Sequence, residues 1–95
     1  MADYQFYRIM GRVTDSNAQP MESVSVRLRR AGETHETEVL SADRTSPRGE
    51  FFFELSLLEG SQLRIEIEDP HSCRIIDYRD FKAGAIDDIT INFVI

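Results

Sequence analysis

Apolar residues recur at every second position along most of this chain, and that spacing commits it to strands. In YRIMGRV, Tyr7, Ile9, Gly11 and Val13 fall on one side, with Arg8, Met10 and Arg12 on the other. Val24, Val26 and Leu28 alternate with Ser25, Arg27 and Arg29. Leu63, Ile65 and Ile67 alternate with Arg64, Glu66 and Glu68, and Ile89, Ile91, Phe93 and Ile95 share a side of the closing segment. Successive side chains of a strand point to opposite faces, so each segment presents one dry face and one wetted face. No window carries a 3.6-residue repeat.

The strongest apolar run is EFFFELSLL, where Phe51, Phe53, Leu55 and Leu57 share a face and are expected at the centre of the core. Phe52 points the other way, to a local cover or to solvent. Between the strands, Thr14 to Gln19 supply turn chemistry through Asp15 and Asn17, whose side chains bond their own backbone. Pro20 stops the ladder there. Thr34 to Leu40 is β-rich and polar on both faces, as an edge strand is. Ser41 to Gly49, with Pro, Gly, Ser and charge together, is expected to be a mobile surface loop. Glu59-Gly60 and DPHSC read as turns, RIIDY as a short strand, and Asp80 to Asp88 as irregular.

Seven short strands at this spacing predict a two-sheet antiparallel β-sandwich, and 95 residues suit a single domain over 1–95. Seventeen acidic against eleven basic side chains give a net charge of −6, which argues against nucleic acid and anionic lipid as partners. No apolar stretch is long enough for a membrane helix, and MADYQFYRIM lacks the basic start and apolar run of an export signal, so neither membrane insertion nor unaided export is expected. The single cysteine, Cys73, leaves no internal disulfide.

The run YRIMGRVTDSNAQPMESVSVRLRR, followed by RGEFFFEL and LEGSQLRIEI, resembles the carboxypeptidase regulatory-like domain of the transthyretin-like, or prealbumin-like, β-sandwiches. The shared elements are a Gly-x-Val strand, a Thr-Asp turn ending in Pro, a Val-x-Val strand and a Gly-x-Phe strand start, over roughly residues 7 to 80. Two positions that are usually glycine in that pattern are Ala18 and Ser23 here, and its compact Thr-Asp signature is stretched to SADRTSPRGEF. The resemblance implies a transthyretin-like Greek key. It also implies a non-catalytic accessory or interaction module, of the kind attached to peptidases, outer-membrane receptors or lipoproteins and often extracytoplasmic.

Chemistry known on this fold meets poor matches. The hydroxyisourate hydrolases end in Tyr-Arg-Gly-Ser, whereas Tyr78-Arg79 is followed by Asp80 and a further segment. Adhesin-type relatives join a first-strand lysine to a last-strand asparagine. Asn92 is in place, but the only lysine is Lys82 and the first strand has Arg8 and Arg12, whose guanidinium stays protonated. Enzyme activity and a cofactor are therefore not expected.

Asp69, His71 and Cys73, spaced to share a face in an extended segment, are weak candidates for a zinc site. The competing reading is a polar turn at Pro70, with Cys73 opening the next strand as a small buried hydrophobe. Asp87 and Asp88 with Asp15 or Asp43 are a fainter candidate for calcium. Arg8, Arg12, Arg27 and Arg29 make a basic stripe if the first two strands pair, or else are neutralised by glutamates such as Glu66 and Glu68. The leading expectation is a module that binds another protein or further domains of a larger chain, by strand addition at an open edge such as that near Ile95. The alternative is a small-ligand or metal-binding sandwich.

Overall fold

A computed structural model describes residues 4–31, 39–69 and 71–95. Its strands are β1 (Tyr4–Thr14), β2 (Ser25–Arg30), β3 (Val39–Arg44), β4 (Glu50–Leu58), β5 (Gln62–Glu68), β6 (Ile75–Lys82), β7 (Asp88–Thr90) and β8 (Phe93–Val94). One sheet runs β4-β1-β7, with β8 also on β1, and the other runs β3-β2-β5-β6. The chain is an all-β sandwich of two packed sheets. The expected seven strands are recovered when β7 and β8 are taken as one interrupted strand along β1.

The core follows the alternation. Tyr7, Ile9 and Val13 of β1, Phe51, Phe53 and Leu57 of β4, and Phe93 of β8 are buried against Val26, Leu28, Leu63, Ile65 and Ile67 of the facing sheet. The Phe51 ring lies 5.9 Å from that of Phe53 and 6.2 Å from that of Phe93, both tilted, a geometry aromatic pairs favour. Phe52 faces solvent and is about half exposed.

Three expectations need correction. The sandwich is not wholly antiparallel, because β7 and β8 run parallel to β1, with Ile9 beside Ile89 and Val13 beside Phe93. A parallel neighbour requires a crossover. Here 83–87 passes from the second sheet to the first and is held at the start of β1: the Tyr7 hydroxyl donates to Gly84 O at 2.5 Å, Gln5 Nε2 to Ala85 O at 3.0 Å, and Arg8 N to Asp87 O at 2.8 Å. Burial, with the carboxylates of Glu59 and Asp87 behind it, pushes the Tyr7 phenol above its usual value and keeps it a donor.

Second, the segment from Ser41 to Gly49 is not a loop throughout. Ser41 to Arg44 belong to β3, an edge strand whose polar sequence is tolerated because only β2 pairs with it among the described residues. Thr45 follows and is buried, its hydroxyl accepting from Val24 N at 2.9 Å and donating to Met21 O at 2.5 Å. Of the edge strand expected over Thr34 to Leu40, only Val39 and Leu40 are among the described residues, and both lie in β3.

Third, β6 continues to Lys82 and β7 begins at Asp88, so of the stretch from Asp80 to Asp88 only 83–87 lies outside strands. The turn after β1 is as expected: Asp15 Oδ1 accepts from Asn17 N at 2.8 Å and Gln19 N at 3.0 Å. Ala18 and Ser23 both have φ of 62°, the left-handed region that glycine occupies without penalty.

Candidate interaction surface

The four arginines, a stripe only if the first two strands paired, are divided between the sheets, since β1 and β2 do not pair. Arg8 meets Asp88 at 3.1 Å and Arg12 meets Glu50 at 3.9 Å on the first sheet. On the second, Arg27 pairs with Glu68 and Arg29 Nε lies 2.5 Å from Glu66 Oε1. The glutamate-neutralised reading holds, and both pairs are diagonal, because the register sets Arg27 beside Glu66 and Arg29 beside Arg64. Arg64 turns instead to β6, where it grips Asp80 with Nε at 2.6 Å and Nη2 at 3.1 Å and lies 4.2 Å from the Tyr78 ring centroid. Hydrogen bonding from Arg64 lowers the Asp80 carboxyl, and the same bond raises the Arg64 guanidinium.

Asp69, His71 and Cys73 do not lie in an extended segment. They form the turn between β5 and β6, with Asp69 N donating to Arg74 O at 2.8 Å and Cys73 N to Asp69 O at 3.0 Å. Asp69 Oδ1 accepts from His71 N at 2.8 Å and Ser72 N at 3.4 Å, and those bonds, that from His71 first, hold the carboxyl below its ordinary range. Cys73 is exposed with φ of 58°, not a buried opening to the next strand, because the turn needs a left-handed residue there. Pro70 lies outside the described residues. Among the described residues no three His, Cys, Asp or Glu side chains stand together as a metal would need.

The other acidic candidates are also separated. Asp15 caps its own turn, Asp43 accepts from Arg44 N and Phe52 N, and Asp88 is taken by Arg8. Lys82 ends β6 in the second sheet, while Asn92 Oδ1 accepts from Arg12 N at 3.0 Å in the first. That side chain bridges the gap between β7 and β8, where Gly11 lets the Ile91 carbonyl come in so close that a Cβ would lie 1.7 Å from its oxygen. The edge near Ile95 is therefore short and broken.

β6 is a long edge strand of the second sheet. Among the described residues it pairs only with β5, from Gln62 beside Lys82 to Ile67 beside Asp77, with a bulge at its start. Ala83 N donates to Ser61 O, and the two-residue period of an antiparallel ladder then turns the backbone groups of Tyr78, Asp80 and Lys82 away from β5. Tyr78 N–H is held by the neighbouring Asp77 carboxylate at 2.8 Å. Ile75, Ile76 and Tyr78 are 42%, 45% and 53% exposed. Asp77 and Arg79 share the inward side with Phe81, and the Arg79 guanidinium covers the Phe93 ring at 5.1 Å. Reading RIIDY as a strand that stops at Tyr78 missed half of this edge. Its signal was the alternation of Asp77, Arg79 and Phe81 with Tyr78, Asp80 and Lys82. A separate groove of about 860 Å³ is lined by Met10, Phe52 and Val94 together with Arg12, Asp43 and Glu50.

No family model and no curated protein matches this chain. Solved structures do. A crystal structure of (S)-allantoin synthase aligns over 95% of this chain and 40% of its own, at 12% identity and a TM-score of 0.65. The structure of the streptococcal ancillary pilin aligns over 94% and 31%, at 17% identity and 0.63. A 9R-lipoxygenase from Cyanothece PCC8801 aligns over 96% and 16%, at 11% identity and 0.61. The likeness is one of fold, and this chain spans less than half of each of those chains.

Proposed function

We propose that this chain is a non-catalytic accessory module, carboxypeptidase regulatory-like in kind, that holds a protein partner by strand addition along β6. The observation that carries the reading is the row of outward backbone groups at Tyr78, Asp80 and Lys82, flanked by exposed Ile75 and Ile76. An added strand satisfies such a row with main-chain hydrogen bonds, and the side chains beside it set the choice of partner. The fold likeness to an ancillary pilin supports an accessory role, as does the small share of each neighbour's chain that the fold occupies.

The test is affinity capture from cytosolic and envelope fractions with wild type and Tyr78→Pro as paired baits. Proline removes an N–H that β5 does not use, a position where an edge strand accepts it. A partner retained by wild type and lost by Tyr78→Pro, with both proteins melting cooperatively, is the expected result. A partner held equally by both overturns strand addition at β6, and capture of nothing by either overturns the interaction reading.

A further inference from the structure

At the end of the first sheet where β1 begins, apolar side chains gather on the outer face, the side that also carries Arg8 and Met10. Tyr4 and Phe6 stand there two residues apart, 71% and 54% exposed, with Leu58 and Ser56 opposite them on β4. Ile86, 75% exposed, comes alongside from the crossover, because Asp87 O accepts from Arg8 N and Ala85 O from Gln5 Nε2. Those bonds, with that of the Tyr7 hydroxyl to Gly84 O, fix the crossover, so the patch exists before anything docks on it. An exposed apolar cluster with aromatic rings and a polar border is what a protein partner buries. We infer that this corner docks a basic, amphipathic polypeptide segment, its apolar side chains on Tyr4, Phe6, Leu58 and Ile86 and its lysines or arginines on the acidic border. The surface is separate from the β6 edge and does not depend on strand addition there.

The choice of occupant follows from charge. Glu54 lies two positions along β4 from Ser56, Glu59 follows Leu58, and Asp87 follows Ile86. Arg8, opposite Glu54 in the register, is engaged by Asp88 at 3.1 Å, and none of Glu54, Glu59 and Asp87 has an ion pair among the described residues. Glu59 and Asp87 both act on the Tyr7 phenol through their charge, so they flank the same corner. Lys82, whose Cε lies near Gly60, sets a single positive charge against these carboxylates. A second copy docking the same patch about a two-fold axis would bring carboxylate against carboxylate. An anionic lipid surface would repel them, and a hydrocarbon layer would desolvate them unpaired. A basic segment covers the rings and neutralises the border together.

Fluorescence anisotropy with a dye-labelled peptide repeating Lys-Leu-Ser tests this, against control peptides repeating Lys-Gly-Ser and Glu-Leu-Ser. Wild type is expected to bind the first roughly tenfold or more tightly than either control, with an affinity that falls as salt rises. Phe6→Ser and Glu59→Lys, both at exposed positions, are each expected to weaken binding roughly tenfold while melting as wild type does. Glu59→Lys is also expected to gain affinity for the Glu-Leu-Ser peptide, which shows that it is folded. Phe52→Ser removes an exposed ring on the same face beyond the Arg8 and Glu54 pair, and it and Tyr78→Pro are expected to bind as wild type does. Failure to bind the Lys-Leu-Ser peptide overturns the inference, as does equal binding of Lys-Gly-Ser or a Phe6→Ser that binds unchanged. Equal loss in Phe52→Ser or Tyr78→Pro would put the peptide elsewhere and overturn it too. Phosphatidylcholine vesicles bound by wild type and not by Phe6→Ser, with the peptide ignored, would replace the segment with a lipid surface. A dimer in sedimentation that Phe6→Ser dissolves would replace it with a second copy. An inert peptide, with a captured protein still lost on Tyr78→Pro, overturns this docking surface and leaves strand addition at β6 standing.

Discussion

The carboxylate of Asp43 on β3 accepts the backbone N–H of Phe52 on β4 at 2.9 Å, fastening the edge of one sheet to the edge of the other. Its second oxygen takes Arg44 N at 2.8 Å. The two edges are thereby joined at this one point, while among the described residues β6 on the opposite side of its sheet pairs only with β5. Asp43→Ala is expected to lower stability by about 1 kcal/mol, the scale of one exposed charge-assisted hydrogen bond, with Asp43→Asn losing less. Urea denaturation of the three proteins measures the difference. A midpoint unchanged in Asp43→Ala would show that the link carries no stability.

Ala18 and Ser23 hold left-handed dihedrals at the two positions where the carboxypeptidase regulatory-like pattern has glycine. A left-handed L-residue costs roughly 1–2 kcal/mol; glycine removes that strain but costs about 0.5–1 kcal/mol through its larger unfolded-state entropy. Ala18→Gly and Ser23→Gly should each stabilise by about 0.5–1 kcal/mol, a few degrees in Tm for a domain this size. Calorimetry on the single and double variants reads the shift, and a fall in Tm would contradict the strain argument.

Gly11 presents the opposite case. An added Cβ would lie 1.7 Å from Ile91 O and 2.7 Å from the buried Phe51 ring, neither of which can move without opening the core. Gly11→Ala is expected to cost about 3 kcal/mol or more, at the severe end of overpacking. Thermal unfolding followed by circular dichroism would show this, and a wild-type melt would place the last strand elsewhere.

The Arg64 and Asp80 pair makes stability fall in acid. Its hydrogen bond lowers the folded-state pKa of Asp80 below the unfolded value near 4, so the contribution is present above that value. It is lost as pH falls through the folded pKa, because the unfolded state then binds the proton more readily. Asp69, lowered mainly by His71 N–H, adds in the same direction. The urea midpoint should drop between pH 5 and pH 2, with a shallower slope in Asp80→Asn. Equal slopes would remove Asp80 from the acid response.

The residues that point inward were legible, from Tyr7, Ile9 and Val13 to Leu63, Ile65 and Ile67, because the period of a strand is local and each segment states its own dry face. The Asp15 turn was legible for the same reason. β3 was hidden, since Ser41 to Arg44 carry no alternation an edge would need and are strand only because β2 lies alongside. Whether Arg8 and Arg12 lay beside Arg27 and Arg29 was not legible for want of pairing information, and Cys73 was assigned to a strand that begins two residues later.

The alternation by itself determined that this chain is strands, which faces are dry and that two sheets must close over them. Pairing was decided by tertiary structure: β1 between an antiparallel β4 and a parallel β7, β2 in the other sheet, and β6 left at an edge with Asp77 and Arg79 turned inward. A side-chain period is set by the residues that carry it. A neighbour across a sheet is chosen by contacts between segments far apart in sequence, and here those were the crossover at 83–87 bound to Gln5, Tyr7 and Arg8 and the close approach allowed by Gly11.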